Sequence, residues 1–227
     1  MELKKEYIID YYNKFYESND FSYYSKKISL KLLKTICNSL SIQKGSKILD
    51  IGCGTGFYTD LFRQLGYNSV GIDISQTAIA KAKAKYLDSN FTVEDALNLS
   101  YDQNYFDIIF MFGCSIVNTD NLSKIDEVIK YLLEYVNDKG AIVLIGGTDF
   151  SGNRTEKSEW YNHTWDQLKE ISSDKKYSIR GPFLSHLRII GFLGRFGYSE
   201  LITLILRCKF FKFQRKVFYF INNRMVI

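Results

Sequence analysis

The sequence predicts an α/β fold: a doubly wound, mostly parallel sheet of seven strands with helices on both faces. Three observations predict it. From residue 47 to residue 145, short apolar segments alternate with helical stretches of about ten residues, the pattern of strands joined by crossover helices. Several of these segments, Ile108-Ile109-Phe110 and Ile142-Val143-Leu144-Ile145 among them, are apolar throughout, as strands covered on both faces are. A glycine-rich turn, Gly52-Cys53-Gly54-Thr55-Gly56, follows the first of them, at the edge where open parallel sheets bind ligands.

Residues 3–40 hold neither Gly nor Pro and read as two helices, 3–16 and 25–40, parted by the turn-prone Ser18-Asn19-Asp20. In the second, Ile28, Leu32, Ile36 and Leu40 recur at helical spacing and make a one-sided apolar face. This pair is expected to form an N-terminal helical cap. Strands follow at 47–51, 69–74, 90–93, 106–111 and 141–145, with helices at 57–65, 77–86 and 123–135. Beyond residue 146 the pattern loosens. It suggests a helix over 165–171 capped by Thr164, a mostly helical stretch over 187–207, and a terminal antiparallel hairpin of 217–220 and 224–227 around Asn222-Asn223.

At 227 residues the chain reads as one domain: a cap over 1–44, a core over 45–146 and a basic C-terminal region over 147–227. No run approaches the roughly 18 apolar residues that cross a bilayer, and Met1-Glu2-Leu3-Lys4-Lys5-Glu6 lacks the apolar core of a signal peptide. A cytoplasmic protein is expected. Cys37, Cys53, Cys114 and Cys208 are scattered, and the two histidines do not cluster, so neither a metal site nor a disulfide framework is expected. Charge is uneven: residues 1–174 carry 19 basic and 24 acidic side chains, whereas residues 175–227 carry 11 basic and one acidic. Such a face meets phosphate, nucleic acid or an anionic membrane, or is a solvated surface balancing an acidic core.

The glycine turn carries the first chemistry. Its glycines let the backbone turn tightly and let a ligand approach main-chain amides with no Cβ in the way. A pyrophosphate-binding turn reads G-x-G-x-x-G over a helix N-terminus, but here the third glycine comes one residue early. The spacing favours a nucleoside without phosphates and disfavours a nicotinamide-dependent oxidoreductase.

Ile48-Leu49-Asp50-Ile51-Gly52-Cys53-Gly54-Thr55-Gly56 resembles, nearly letter for letter, the first motif of the class I, Rossmann-like S-adenosylmethionine-dependent methyltransferases. Gly71-Ile72-Asp73-Ile74-Ser75 resembles their second motif, Phe91-Thr92-Val93-Glu94-Asp95-Ala96 the segment after their third strand, and Phe106-Asp107-Ile108-Ile109 the signature of their fourth. The likeness covers residues 45–146 and reaches loosely into the N-terminal helices. It implies S-adenosylmethionine as cofactor, held by Asp50, Gly52, Cys53, Gly54, Gly56, Asp73, Ile74, Asp95, Ala96 and Phe112. In such a site Asp73 grips the ribose diol, Asp95 meets the adenine amino group, and Asp50 holds the loop or the methionine ammonium. A carboxylate suits the diol on chemical grounds too, because it accepts two hydrogen bonds. Asp107 reads as a turn-ordering residue, and Cys53 as a small filler with nothing nearby to activate its thiol.

Methyl transfer from a sulfonium is an in-line displacement, so the protein mostly supplies alignment. A base is needed only when the acceptor must lose a proton. His163, in Trp160-Tyr161-Asn162-His163-Thr164-Trp165, is the leading base candidate because histidine titrates near working pH; a surface residue ahead of a helix cap is the alternative. Ser115 and Asn118 are expected to face the acceptor, with Trp160, Tyr161 and Trp165 as an aromatic wall. The acceptor site is expected between the N-terminal helices, the loop after the fourth strand and this segment. A small-molecule O- or N-acceptor is expected, such as a sugar or a phosphorylated or lipid-linked metabolite. The Asn/Asp-Pro-Pro-aromatic and Pro-Cys motifs of DNA-methylating enzymes are ruled out, since Pro182 is the only proline. That lowers the nucleic-acid reading but leaves RNA enzymes that use neither motif. Residues 207–220 interleave cations with aromatics, which suits anionic lipid or RNA, or the buried face of closing strands. A scaffold that binds cofactor without catalysis is the remaining alternative.

Overall fold

The apolar run that opens the core forms β1 (Lys47–Ile51), and β2 (Asn68–Asp73), β3 (Asn90–Val93) and β4 (Phe106–Phe112) follow. The computed structural model describes residues 2–19, 25–146, 161, 163, 167, 170, 171, 177–184 and 216–222. Within these, the chain divides into two units, Met1–Met111 and Phe112–Ile227.

In the first unit the strand order is β3-β2-β1-β4, and all three pairings are parallel. Ile48, Leu49 and Ile51 of β1 and Ile108, Ile109, Phe110 and Met111 of β4 are buried in succession, so both faces of these strands are covered, as their unbroken apolar runs predict. The helices are α1 (Glu2–Ser18), α2 (Lys26–Ser39), α3 (Phe57–Gln64) and α4 (Gln76–Lys85). Serines set two of the starts: Ser25 accepts from the Ile28 amide, and Ser75 from the Ala78 amide at 3.1 Å, each satisfying a donor that the first helical turn leaves over. Leu32, Leu33, Ile36 and Cys37 of α2 are buried, each large aliphatic contributing about 1.5–3 kcal/mol; of the expected face Leu32 and Ile36 are buried, whereas Leu40 is half-buried and Ile28 exposed, because the buried stripe runs through Leu33 and Cys37 instead. Phe62 of α3 meets Phe110 edge-on, with ring centroids 5.1 Å apart. Asp107 Oδ2 accepts the Lys47 amide at 2.8 Å, so that carboxylate fixes the start of β1 at the sheet edge opposite the glycine turn.

In the second unit, α5 (Leu122–Leu133) begins at Asn121, whose side chain accepts the Lys124 amide at 3.1 Å. It buries Ile125, Val128, Ile129, Leu132 and Leu133. Next comes β5 (Val136–Gly146), which starts five residues before the apolar run that betrays it. The Gly113 amide donates to the Ile145 carbonyl at 2.8 Å. The remaining strands are β6 (Tyr177–Leu184) and β7 (Lys216–Asn222), in the order β5-β7-β6.

This end departs from the sequence reading. The pairings here are antiparallel, β7 with both β5 and β6. The expected hairpin of 217–220 with 224–227 is replaced: both edges of β7 are taken, by β5 on one side and by β6, a strand with no counterpart in the sequence reading, on the other. Gly181 and Pro182, residue types that interrupt a strand, fall where the β6 register shifts between Arg180 and Phe183, and β6 is outermost among the described strands, the place where a strand tolerates proline. Gln167, Glu170 and Ile171 are helical, in keeping with the expected helix over 165–171. The expected helical stretch over 187–207, residues 207–215 of the cationic tail, and 224–227 lie outside the described residues. No helix among the described residues is long and apolar enough to cross a membrane.

Candidate functional site

The parallel register of β1, β2 and β3 sets their carboxyl ends side by side, and Asp50, Asp73 and Asp95 lie along that edge of the first unit. Between β1 and α3 the chain turns through three glycines in the left-handed region: Gly52 at φ 68°, Gly54 at φ 54° and Gly56 at φ 86°. At two of them an added side chain would collide with a neighbour. A Cβ on Gly54 would lie 2.6 Å from the Tyr16 hydroxyl oxygen, and one on Gly56 would lie 2.5 Å from the Phe91 ring.

Asp73 organises this turn. Its Oδ2 accepts the Gly54 amide at 2.9 Å and its Oδ1 the Ser75 amide at 2.9 Å, and the Ile74 amide bonds to the same carboxylate. The carboxylate therefore pins the glycine turn to the loop that starts α4, while its spare lone pairs remain for a diol. Burial pushes its pKa above the usual carboxylate value, and the three amides work against that rise.

Asp50 is 2 % exposed. Its Oδ2 accepts the Thr59 hydroxyl at 2.6 Å, and the Thr59 amide adds a second bond. Burial first, opposed by the Thr59 hydroxyl and reinforced by the neighbouring charge of Asp73, pushes the Asp50 pKa up to about 7. A buried carboxylate so disposed is completed by a cation, and the ammonium of an amino-acid ligand is one. Without such a cation, Asp50 makes stability depend on pH. The folded protein keeps this proton up to about pH 7, whereas the unfolded chain releases it near about pH 4. Between those values the native state binds more protons, so stability falls as pH rises. Thermal melts from about pH 5 to about pH 8 are expected to show the wild type losing stability relative to Asp50→Asn; parallel curves would rule this out.

Cys53 is half-buried, and burial raises its thiol pKa well above the ordinary value, with Asp50 and Asp73 adding to the effect. That agrees with a filler and not a nucleophile: its Cβ and Sγ lie 2.9 Å from where a Cβ on Gly71 would stand. Ile74 is half-buried and Ala96 buried. Asp95 holds the Leu97 amide through Oδ1 at 2.9 Å and pairs with Lys5 Nζ through Oδ2 at 2.6 Å. Sequence reasoning missed Thr59, Lys5, Asn13 and Tyr16. Thr59, nine residues from Asp50, sits one helical turn into α3, but the other three meet the site across more than thirty residues and no local pattern marks them.

In the second unit, Phe112 is buried, and Ser115 opens a single 3-10 turn (Ser115–Val117). Asn118 Oδ1 accepts the Tyr161 amide at 2.6 Å. His163 is buried, with Nε2 2.6 Å from the Thr119 carbonyl and its ring 4.6 Å from that of Tyr161. The structure thus brings together Asn118, Tyr161 and His163, which the sequence nominated separately. Trp160 and Trp165 lie outside the described residues.

The methyltransferase domain family matches residues 48–140. A putative methyltransferase of Invertebrate iridescent virus 6 is 29% identical over 174 residues, which is 70% of this chain and 60% of the viral protein. Phosphoethanolamine N-methyltransferase of Plasmodium falciparum is 26% identical over 157 residues, 66% of this chain and 54% of that enzyme. The chain thus spans less than two thirds of the length of either relative. Among solved structures, magnesium protoporphyrin IX methyltransferase of Synechocystis with bound S-adenosylmethionine superposes with a TM-score of 0.60 at 16% identity, covering 96% of this chain and 97% of that one; the likeness is one of fold. Over residues 48–140, fewer than half of its 227, the chain is thus similar to methyltransferase domains.

Proposed function

We infer that this protein transfers a methyl group from S-adenosylmethionine to an oxygen or nitrogen of a small-molecule acceptor. One observation carries the cofactor half of this reading: the buried Asp73 carboxylate, clamped by the amides of Gly54, Ile74 and Ser75 at the carboxyl end of β2. When bound, S-adenosylmethionine supplies an electrophilic methyl carbon on a sulfonium. Asp73 takes the ribose diol, Asp50 the ammonium, and the bare amide face of the glycine turn lets the ligand lie against the backbone. No pyrophosphate is provided for, since the third glycine comes too early for that purpose.

The acceptor half rests on the second unit and on relatives. Phosphoethanolamine and magnesium protoporphyrin IX, for which two of the similar proteins are named, are small molecules of very different shape, which supports the class of acceptor and leaves its identity to experiment. His163 is assigned the base. With Nε2–H donating to the Thr119 carbonyl, the lone pair resides on Nδ1, the atom that would take a proton from a hydroxyl or ammonium acceptor. His163→Ala is expected to lower turnover by about a hundredfold with cofactor affinity unchanged; an unaltered rate removes it from the mechanism. The function itself is tested by calorimetric titration with S-adenosylhomocysteine and with NAD, followed by transfer of labelled methyl to a panel of sugars, amines, phenols and RNA. Binding of the first ligand and labelling of a small molecule are expected. Preference for NAD would overturn the reading, labelling of RNA alone would shift it to the polymer, and binding without turnover would make the protein a scaffold.

A further inference from the structure

Helix α1 reaches the cofactor edge at several points, all within the first unit. Lys5 Nζ lies 2.6 Å from Asp95 Oδ2. Asn13 Oδ1 accepts two hydrogen bonds, from the Ser75 hydroxyl at 2.8 Å and the Thr77 amide at 3.2 Å. The Tyr16 hydroxyl oxygen stands 2.6 Å from where a Cβ on Gly54 would be. Lys81 of α4 donates to the Glu17 carbonyl at 3.2 Å, which ties the end of the helix down. At 3.6 residues per turn, positions 5, 13 and 16 fall on one side of α1, so a single face of the helix addresses all three loops.

These bonds form a connected chain. Ser75 donates its amide to Asp73 Oδ1 and its hydroxyl to Asn13, while its oxygen accepts the Ala78 amide. Asn13 thus supplies, from sixty residues upstream, an acceptor for the first turn of α4 that Ser75 alone cannot provide. Asp95 is held at both oxygens, by the Leu97 amide and by Lys5. On the reading of the site given above, these are the carboxylates that meet the ribose and the adenine.

We propose that α1 is part of the nucleoside site, with Asn13 positioning Asp73 through Ser75 and Lys5 positioning Asp95, so that the cofactor is recognised only with this helix docked. The inference rests on the cofactor reading and goes beyond it by making two residues of the helical cap determinants of nucleoside affinity. Asn13 and Lys5 are positioning residues: they act through carboxylates and not on reacting atoms.

The test compares calorimetric affinity for S-adenosylhomocysteine with that for its analogue lacking the ribose 2′-hydroxyl, in the wild type and in Asn13→Ala, Asn13→Asp and Ser75→Ala. Asn13→Ala is expected to bind the full ligand about tenfold more weakly, about the worth of one well-formed hydrogen bond, and the deoxy analogue about as well as the wild type does. Asn13→Asp, which keeps the acceptor, restores affinity. Ser75→Ala cuts the same chain at its next link and must show the same selective loss, which keeps the proposal open to refutation if Asn13→Ala does not fold. Equal losses for both ligands would mean that α1 only steadies the fold, and no loss for either would mean that it is irrelevant; both outcomes overturn the proposal. Lys5→Ala extends the test to the base, with a selective loss expected against the analogue that carries oxygen in place of the adenine amino group. Failure of the wild type to bind S-adenosylhomocysteine would instead defeat the cofactor reading itself.

Discussion

Gly56→Ala is expected to lower the unfolding free energy by about 3 kcal/mol, by adding the cost of a left-handed alanine to that of an overpacked contact. The new methyl would stand 2.5 Å from Phe91 Cζ and 3.0 Å from Ala82 Cβ at φ 86°. Phe91 and Ala82 are buried together with Ile79, so neither has somewhere to go. Gly54→Ala makes the useful contrast. There the obstruction is the far end of the Tyr16 side chain, which can swing aside, and a loss of about 1–2 kcal/mol is expected. Urea titrations that give the same slope for all three proteins would measure both values. A Gly56→Ala loss under about 1 kcal/mol would mean that the turn relaxes freely, and that its glycines serve ligand approach alone.

Asp73→Asn is expected to weaken S-adenosylhomocysteine about a hundredfold. The carboxylate accepts at both oxygens, from Gly54 and from Ser75, and an amide must turn an NH2 group toward one of those donors. Each bond to a charged acceptor is worth about 1.5–3 kcal/mol, so one such loss, together with a glycine turn no longer drawn to β2, accounts for two orders of magnitude. Calorimetric titration measures it, with circular dichroism to confirm that the variant folds. A change below about fivefold would show that the carboxylate orders the loop without addressing the ligand.

The parts of this molecule that were legible in sequence are those fixed by neighbours along the chain. Apolar runs at 48–51 and 108–111 become buried strands because burial on both faces needs no information from elsewhere, and the glycine spacing of residues 52–56 reports a turn that only glycine makes without strain. Ser75 and Asn121 cap their helices in the same local way, each accepting the amide three residues on. What was hidden depends on distant partners. β6 was unreadable because Gly181 and Pro182 interrupt it, and β7 pairs with β5 and β6 rather than with the segment after Asn222-Asn223. Lys5 and Asn13 look like ordinary polar positions of an N-terminal helix, since the partners that give them meaning lie 90 and 62 residues away. The carboxylates Asp50 and Asp73 stand at strand ends, where the sequence reading puts them, yet their network through Thr59 and Ser75 came only from the fold.

The outermost position of β6 among the described strands has a further consequence. An open edge strand offers a row of amides and carbonyls on which another chain can add a strand, and long regular edges invite aggregation. Proline at 182 removes one donor from that row, and the shift of register between Arg180 and Phe183 breaks its spacing. The residue that obscured the strand in the sequence therefore also blunts the outer edge of the described strands, where a passing strand finds its register interrupted.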